Sequence, residues 1–193
     1  MIAEVTRWVA VGRLKGAFGV RGEVRITPLP IPVACILPDP NPQRFLTDDW
    51  LMAQGAWWLG KESPAEPAVQ AMDTRRHGDE ILTRLKGIEN REALQAMAGT
   101  RIWIPENALP ELPGNHHYWF RLTGMQVLAE TAEDPGTFEP LGVLDTLLAT
   151  GSNDVLVVLD ATGEERLLPF IRDTILKVDE QNHLLHVRLM PGL

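Results

Sequence analysis

Five histidines, one cysteine and the carboxylate doublets Asp48/Asp49 and Glu164/Glu165 are among the groups of this 193-residue chain that could hold a metal or move protons. His116 and His117 are adjacent, and His183 and His186 are three apart. On a strand both spacings send the rings to opposite faces, so neither pair presents a chelate. Cys35 stands alone in a proline-rich stretch, and no C-x-x-C exists. No metal or cofactor is implied. Asp48/Asp49 and Glu164/Glu165 read as solvated turns, not as two carboxyls facing across a cleft. There is no G-x-S-x-G elbow. A bound cofactor, or a deep pocket holding Asp145 and His186 together, would argue for an enzyme with an unrecognised site; the expectation is a protein that is not an enzyme.

Two glycine clusters could bind phosphate. In "ATGSNDVLVVLDATGEERLLPF" (149–170) a strand pattern follows Gly151, Asn153 and Asp154. A phosphate loop needs a helix there, offering its N-terminal amides. Asn and Asp instead favour a tight turn, with Gly151 free to take positive φ. The unbroken run Val155–Leu159 predicts a strand lying centrally, buried on both faces. In "GRLKGAFGVRGEVRI" (12–26) neither G-x-G-x-x-G nor a Walker pattern is present. Its charges are more informative. Arg7, Arg13, Lys15, Arg21 and Arg25 stand against Glu23 alone between residues 7 and 25, a net +4. Such a basic loop, with Phe18 as a stacking surface, suits RNA phosphates and bases; a solvated barrel rim is the plain alternative.

"NHHYWFRLTGMQV" (115–127) offers recognition rather than reaction. Read as a strand, it puts Tyr118 and Phe120 on one side and Trp119 on the other. Tyr and Trp with one wet edge are common interface anchors. Sealing a seam between domains is the competing use.

The elements that must position these residues are mostly strands. In "GEVRITPL" Val24 and Ile26 alternate with Glu23 and Arg25, the period-two pattern of a half-buried strand. "WVAVGRL", "WWLGKE", "EILTRLK" and "TRIWIP" complete the first half. "NREALQAMAG" (90–99) predicts a short helix with Asn90 as N-cap and Gly99 beyond its end. "PLPIPVACILPDPNPQ" (28–43), with six prolines, reads as an irregular loop, and "SPAEP" (63–67) as a smaller one. "PENALPELPGN" reads as a linker. Beyond it come "MQVLAE", "PLGVLDTLLAT", "DVLVVLD", "ERLLPFI", "TILKVDE" and "HLLHVRLM", short strands at close spacing. The expected fold is mainly β, with two small β-barrels: residues 1–105, a Pro-rich linker at 106–114, and residues 115–193.

Charge divides at the same place. Residues 1–105 carry 13 Lys/Arg against 12 Asp/Glu, net +1; residues 106–193 carry 5 against 14, net −9. Only the first half suits a polyanion. The second suits a basic protein, because opposite potentials speed encounter and select partners; an acidic surface that simply keeps the protein soluble is the plain alternative. Val155–Leu159, the longest apolar run, is far short of the ~20 residues that span a bilayer. A start lacking a signal-peptide pattern and a single cysteine lead to the expectation of a cytoplasmic protein away from membranes.

Four blocks resemble the RimM family, the bacterial ribosome maturation factors. They are "VGRLKGAFGVRGEVRI", "LTRLKGIENREALQAMAGTRIWIP", "YWFRLTGMQV" and the C-terminal stretch from "LGVLDTLLATGSNDVLVV" to the end. Residues 28–79 match least. The resemblance implies a translation-factor-like N-terminal barrel and a PRC-type C-terminal barrel. It implies a non-enzymatic factor that binds the precursor small ribosomal subunit through a basic ribosomal protein of its head. It further implies help in ribosomal RNA folding and processing. A general protein-interaction adaptor acting away from the ribosome is the alternative. Tyr118, Trp119 and His117 are then the expected protein-binding residues, and Lys15, Arg21, Arg25 and Arg13 the RNA-binding ones, in a monomer. The family commonly has a second tyrosine where this chain has His117, and an aspartate where it has Arg121.

Overall fold

The structure, a computed structural model, describes residues 7–38, 48–131 and 134–190. In chain order the strands and helices are β1 (Trp8–Phe18), β2 (Glu23–Pro28), β3 (Val33–Cys35), α1 (Asp48–Ala53), β4 (Ala56–Gly60), β5 (Ala65–His77) and β6 (Glu80–Leu85). There follow α2 (Arg91–Ala96), β7 (Arg101–Pro105), β8 (His116–Tyr118), α3 (Trp119–Leu122), β9 (Gln126–Glu130) and β10 (Phe138–Ala149). β11 (Asp154–Leu159), β12 (Glu165–Pro169), β13 (Ile175–Asp179) and β14 (Leu184–Val187) end the series.

The chain forms two compact units, the first from Met1–Pro30 and Leu46–Glu111, the second from Ile31–Phe45 and Leu112–Leu193. Ile31–Phe45, inside the sequence expected to belong to the first barrel, groups with the second unit.

The first unit is a closed barrel of order β1-β2-β6-β5-β4-β7. Its interior follows from alternation. Val24 and Ile26 on β2, and Ile102 and Ile104 on β7, are buried, while Glu23, Arg25, Arg101 and Trp103 lie between them on the outer face. Burying each such aliphatic side chain contributes about 1.5–3 kcal/mol. α2 is shorter than its sequence suggests. Asn90 Oδ1 accepts from the amides of Glu92 (2.7 Å) and Ala93 (3.4 Å), and Leu94 is its one buried residue.

Two expectations for this unit are corrected. Residues 63–67 are not simply a loop, because β5 starts at Ala65. That strand is long but shallowly buried, so its sequence shows no clear alternation. The Asp48/Asp49 doublet is not a turn but the acidic first turn of α1. Both carboxylates hold Arg76 of β5, at 2.9 and 3.0 Å.

The second unit is a six-stranded sheet, β12-β11-β10-β9-β14-β13, with β3 and β8 as a separate pair. All pairings are antiparallel except β14 with β9. Val127, Leu144, Leu156, Leu168, Ile175, Leu185 and Val187, drawn from all six strands, share one core with Ala34 of β3. The proline-rich segment thus has structure of its own. Val33, Ala34 and Cys35 are buried opposite Tyr118, His117 and His116. Ile36 N–H donates to Asn115 O (2.8 Å), and Arg172 N–H to Leu37 O (2.7 Å). Pro32, which has no N–H to give, stands immediately before β3. Residues 39–43 of the same stretch lie outside the described residues.

The Gly-Ser-Asn-Asp cluster is a hairpin turn. It joins Ala149 to Asp154, with Gly151 at φ +89° and Thr150 Oγ1 donating to Asn153 O (2.6 Å). β11 lies inside the sheet, paired with β10 and β12, and Val157 on its outer face is buried as well. Leu156 and Val158 face the core, and β11 lies one strand from the sheet edge. Its other face, Val155, Val157 and Leu159, pairs with Leu148 and Val143 of β10 and Leu167 of β12. Those three neighbours are exposed, at 46%, 37% and 51%, so the outer sheet face is apolar. Asp145 and Glu165 are exposed on the same two flanking strands.

Candidate functional site

The first unit gathers cations on the outside of its barrel. Arg13 and Lys15 project from β1 on either side of the inward-facing Leu14, and both are exposed. Arg13 sits directly opposite Thr27 of β2 on one side and Arg101 of β7 on the other. Lys15 occupies the irregularity between Leu14 and Gly16, beside which Arg25 pairs with Gly16. Arg25 is half-buried and is drawn toward Glu80 (4.0 Å). Arg21 lies apart, exposed on the β1–β2 turn next to Val20, which is 94% exposed. Three of the four expected cations, Arg13, Lys15 and Arg25, therefore share one region, and the fourth occupies the loop tip.

The glycines around them act through geometry. Gly19 and Gly22 turn the chain at φ +59° and +69°. Gly16 takes φ +108°, a conformation that favours glycine, while a Cβ there would meet only the movable end of the Gln95 side chain (2.8 Å). Phe18, the expected stacking surface, is half-buried with its ring 5.2 Å from that of His77.

Sequence reasoning missed four residues of this face. Trp8, Trp58, Trp103 and Arg101 all lie on the outer face of the barrel, half-buried. Trp58 pairs with Trp103 across β4 and β7. The Trp8 and Trp58 rings are 5.1 Å apart, and the Arg101 guanidinium lies 5.8 Å from the Trp103 ring centre. The signal was available: in "TRIWIP" Arg101 and Trp103 alternate with the buried isoleucines.

The aromatic corner of the second unit differs from its expected form. A strand through residue 120 is not formed, because Trp119–Leu122 is the helix α3. Tyr118 and Phe120 stack at 5.4 Å with their planes 13° apart. Tyr118 has no exposed surface, so it offers no wet edge. Burial pushes its phenol pKa up, against a smaller opposite pull from Arg121. The Arg121 guanidinium lies 5.2 Å from the Tyr118 ring. Trp119 is half-buried against the second core, and its indole N–H is buried with no acceptor among the described residues. Whatever Trp119 presents outward is therefore carbon.

His117 is fixed by a carboxylate. Its Nδ1 is 2.8 Å from Glu180 Oε1, and Arg121 Nη1 is 3.6 Å from Glu180 Oε2. His117 and Arg121 thus meet at one carboxylate. The hydrogen bond from His117 holds the Glu180 carboxyl below its ordinary range, with Arg121 assisting.

The other histidines are dispersed. His116 is buried against Asn115 (2.8 Å), His183 takes φ +58° in a turn, and His186 meets the Phe138 ring edge-on at 4.7 Å. Among the described residues no group of three or more His, Cys, Asp or Glu could hold a metal ion. His186 aligns through Leu128 with Pro140, while Asp145 lies further along β10, so the two do not share a site. Among the described residues no helix is long and apolar enough to cross a membrane.

Fold and site together define a two-unit β protein whose distinctive surfaces are sheet faces: one cationic and aromatic, one apolar with acidic flanks. Comparison with known proteins gives the family. Residues 9–109 match the RimM N-terminal domain, and residues 119–193 match the RimM PRC barrel domain. The chain is 34% identical over 198 residues to a protein of Magnetococcus marinus named ribosome maturation factor RimM, covering 98% of each. It is 34% identical over 178 residues to the protein of that name from Chromobacterium violaceum, covering 88% of each. A crystal structure from Pseudomonas aeruginosa, described as a 16S ribosomal RNA processing protein RimM, covers 97% of this chain at 28% identity and a TM-score of 0.42. The chain belongs to the RimM family.

Proposed function

We propose that this protein is a ribosome maturation factor that binds the precursor small ribosomal subunit and assists the folding and processing of its RNA. The first unit rests on ribosomal RNA through Arg13, Lys15, Arg21 and Arg25. The second docks a basic ribosomal protein of the subunit head. Its work is steric and electrostatic: it holds a partner, biases RNA folding and leaves. The observation that carries this reading is the division of charge, net +1 before residue 106 and −9 after it, in a chain of this family.

The geometry refines the role of each anchor. Tyr118, wholly buried, acts by holding the corner rather than by touching a partner. Trp119 contributes an apolar edge, and His117 stays bound to Glu180. The exposed Leu148 and Leu167, with Asp145 and Glu165 nearby, supply the apolar centre and acidic border that a cationic protein surface would meet.

Co-sedimentation of the full chain with precursor small subunits tests the reading. Wild type should travel with the particle. Charge reversal at Lys15 and Arg21 should weaken attachment and flatten its salt dependence. A folded wild-type protein that stays free of the particle would refute the ribosomal role and leave the adaptor reading.

A further inference from the structure

The outer face of β4, β7 and β1 carries a combination that barrel stability does not require. Arg13 and Arg101 lie directly opposite each other in neighbouring strands. Like charges in that position repel. Neither has a carboxylate partner among the described residues, whereas Arg7, Arg25, Arg75, Arg76 and Arg84 of the same unit each have one. Lys15, two residues from Arg13 and equally exposed, adds a third unneutralised cation.

This cationic row continues into an aromatic one. One step along β7 from Arg101, on the same face, is Trp103, whose ring lies under the Arg101 guanidinium. Trp103 pairs with Trp58, and Trp58 packs on Trp8. The Trp103 indole N–H is taken by Gly60 O (3.0 Å), which fixes that ring on the sheet. Three of the chain's six tryptophans thus line one outer face instead of filling the core, as Trp57 does.

We propose that this face binds unpaired RNA, with phosphates on Arg13, Arg101 and Lys15 and bases stacked along Trp103 and Trp58. A polyanion matches the unneutralised arginines. A duplex would satisfy them equally well, but it hides its base faces, and the tryptophans would then have nothing to stack on. Fixed aromatic rings beside a cationic track are the chemistry by which proteins hold single strands. The inference rests on the RNA-facing role proposed for the first unit, and goes beyond it in naming the strand state of the RNA and residues outside the Gly-rich loop.

The test is anisotropy of a labelled single-stranded oligoribonucleotide and of its duplex, titrated with the full-length chain at fixed salt. Wild type should prefer the single strand by about ten-fold or more. Trp103→Leu should lose about that factor on the single strand and nothing on the duplex. Arg13→Gln with Arg101→Gln should weaken both and reduce the salt slope. Trp58→Leu provides the same readout should the Trp103 variant melt early. Equal affinity for both RNAs, binding to neither, or unchanged single-strand affinity in a folded tryptophan variant would overturn the proposal. A chain that sediments with precursor subunits yet shows no single-strand preference would sink this inference alone. A chain that prefers single strands yet ignores the particle would sink only the ribosomal reading.

Discussion

His117 Nδ1 and Glu180 Oε1 lie 2.8 Å apart although 63 residues separate them, and the contact ties β8 to the turn between β13 and β14. Glu180 also receives Arg121, so one carboxylate secures both ends of the Tyr118–Trp119 segment.

Because His117 and Arg121 hold the Glu180 carboxyl below its ordinary value of 4.5, Glu180 stabilises the folded state above that pH. The stabilisation is lost as pH falls through the lowered folded-state value. Glu180→Gln should cost about 1 kcal/mol at neutral pH, discounted for partial exposure. It should also flatten the acid side of the stability profile. Urea midpoints measured from pH 7 to pH 3 check this; parallel profiles would show that Glu180 is not coupled to folding.

Asp179, one residue earlier, is held at about 2 by Lys177, with the Asn182 amide and side chain adding to the effect. Carboxyl-carbon NMR should find it ionised well below pH 3.8, its ordinary value, with a midpoint near 2. Its contribution to folding is present above the ordinary value and disappears between the two. Lys177→Ala should move the midpoint upward.

A fragment beginning at Leu112 would lack Ile31–Phe45 and therefore β3. It should be less stable than the second unit in the full chain by about 2 kcal/mol or more, since Ala34 leaves the core and Tyr118 loses its strand partner. A peptide of residues 31–38 added in trans should raise its urea midpoint. An unaffected midpoint would mean that β3 contributes nothing to this unit.

Leu148 is 46% exposed on the outer face of β10. Leu148→Lys should change folding stability by no more than about 0.5 kcal/mol. If that face meets a basic protein, the added cation should lower affinity for the small-subunit partner by about ten-fold or more, as seen by calorimetry. Unaltered affinity would move the docking surface elsewhere.

Much of the fold was legible because its causes are local. Alternation placed Val24 and Ile26 inside and Glu23 and Arg25 outside. Asn90 announced its helix through the donors it accepts. Gly151, Asn153 and Asp154 announced their turn. The site was legible only in part. Arg13 and Lys15 could be recognised as cations, but their opposition to Arg101 depends on strand register. Tyr118 looked like a surface anchor because three successive aromatics suggest a strand with two faces. The helix that begins at Trp119 breaks that period.

The sequence alone determined most of the strands with clear alternation, the helix behind Asn90, the turn at Gly151–Asp154, and that charge is shared unequally between its halves. These follow from the steric and solvation preferences of neighbouring residues. Tertiary structure alone decided that a proline-rich stretch supplies a strand to the second unit, that Tyr118 is buried, and that His117 meets Glu180. It also brought two arginines and three tryptophans to one barrel face. Each of these depends on which strands pair and in what register. That choice belongs to the whole core, where the burial of many side chains outweighs the preference of any short segment.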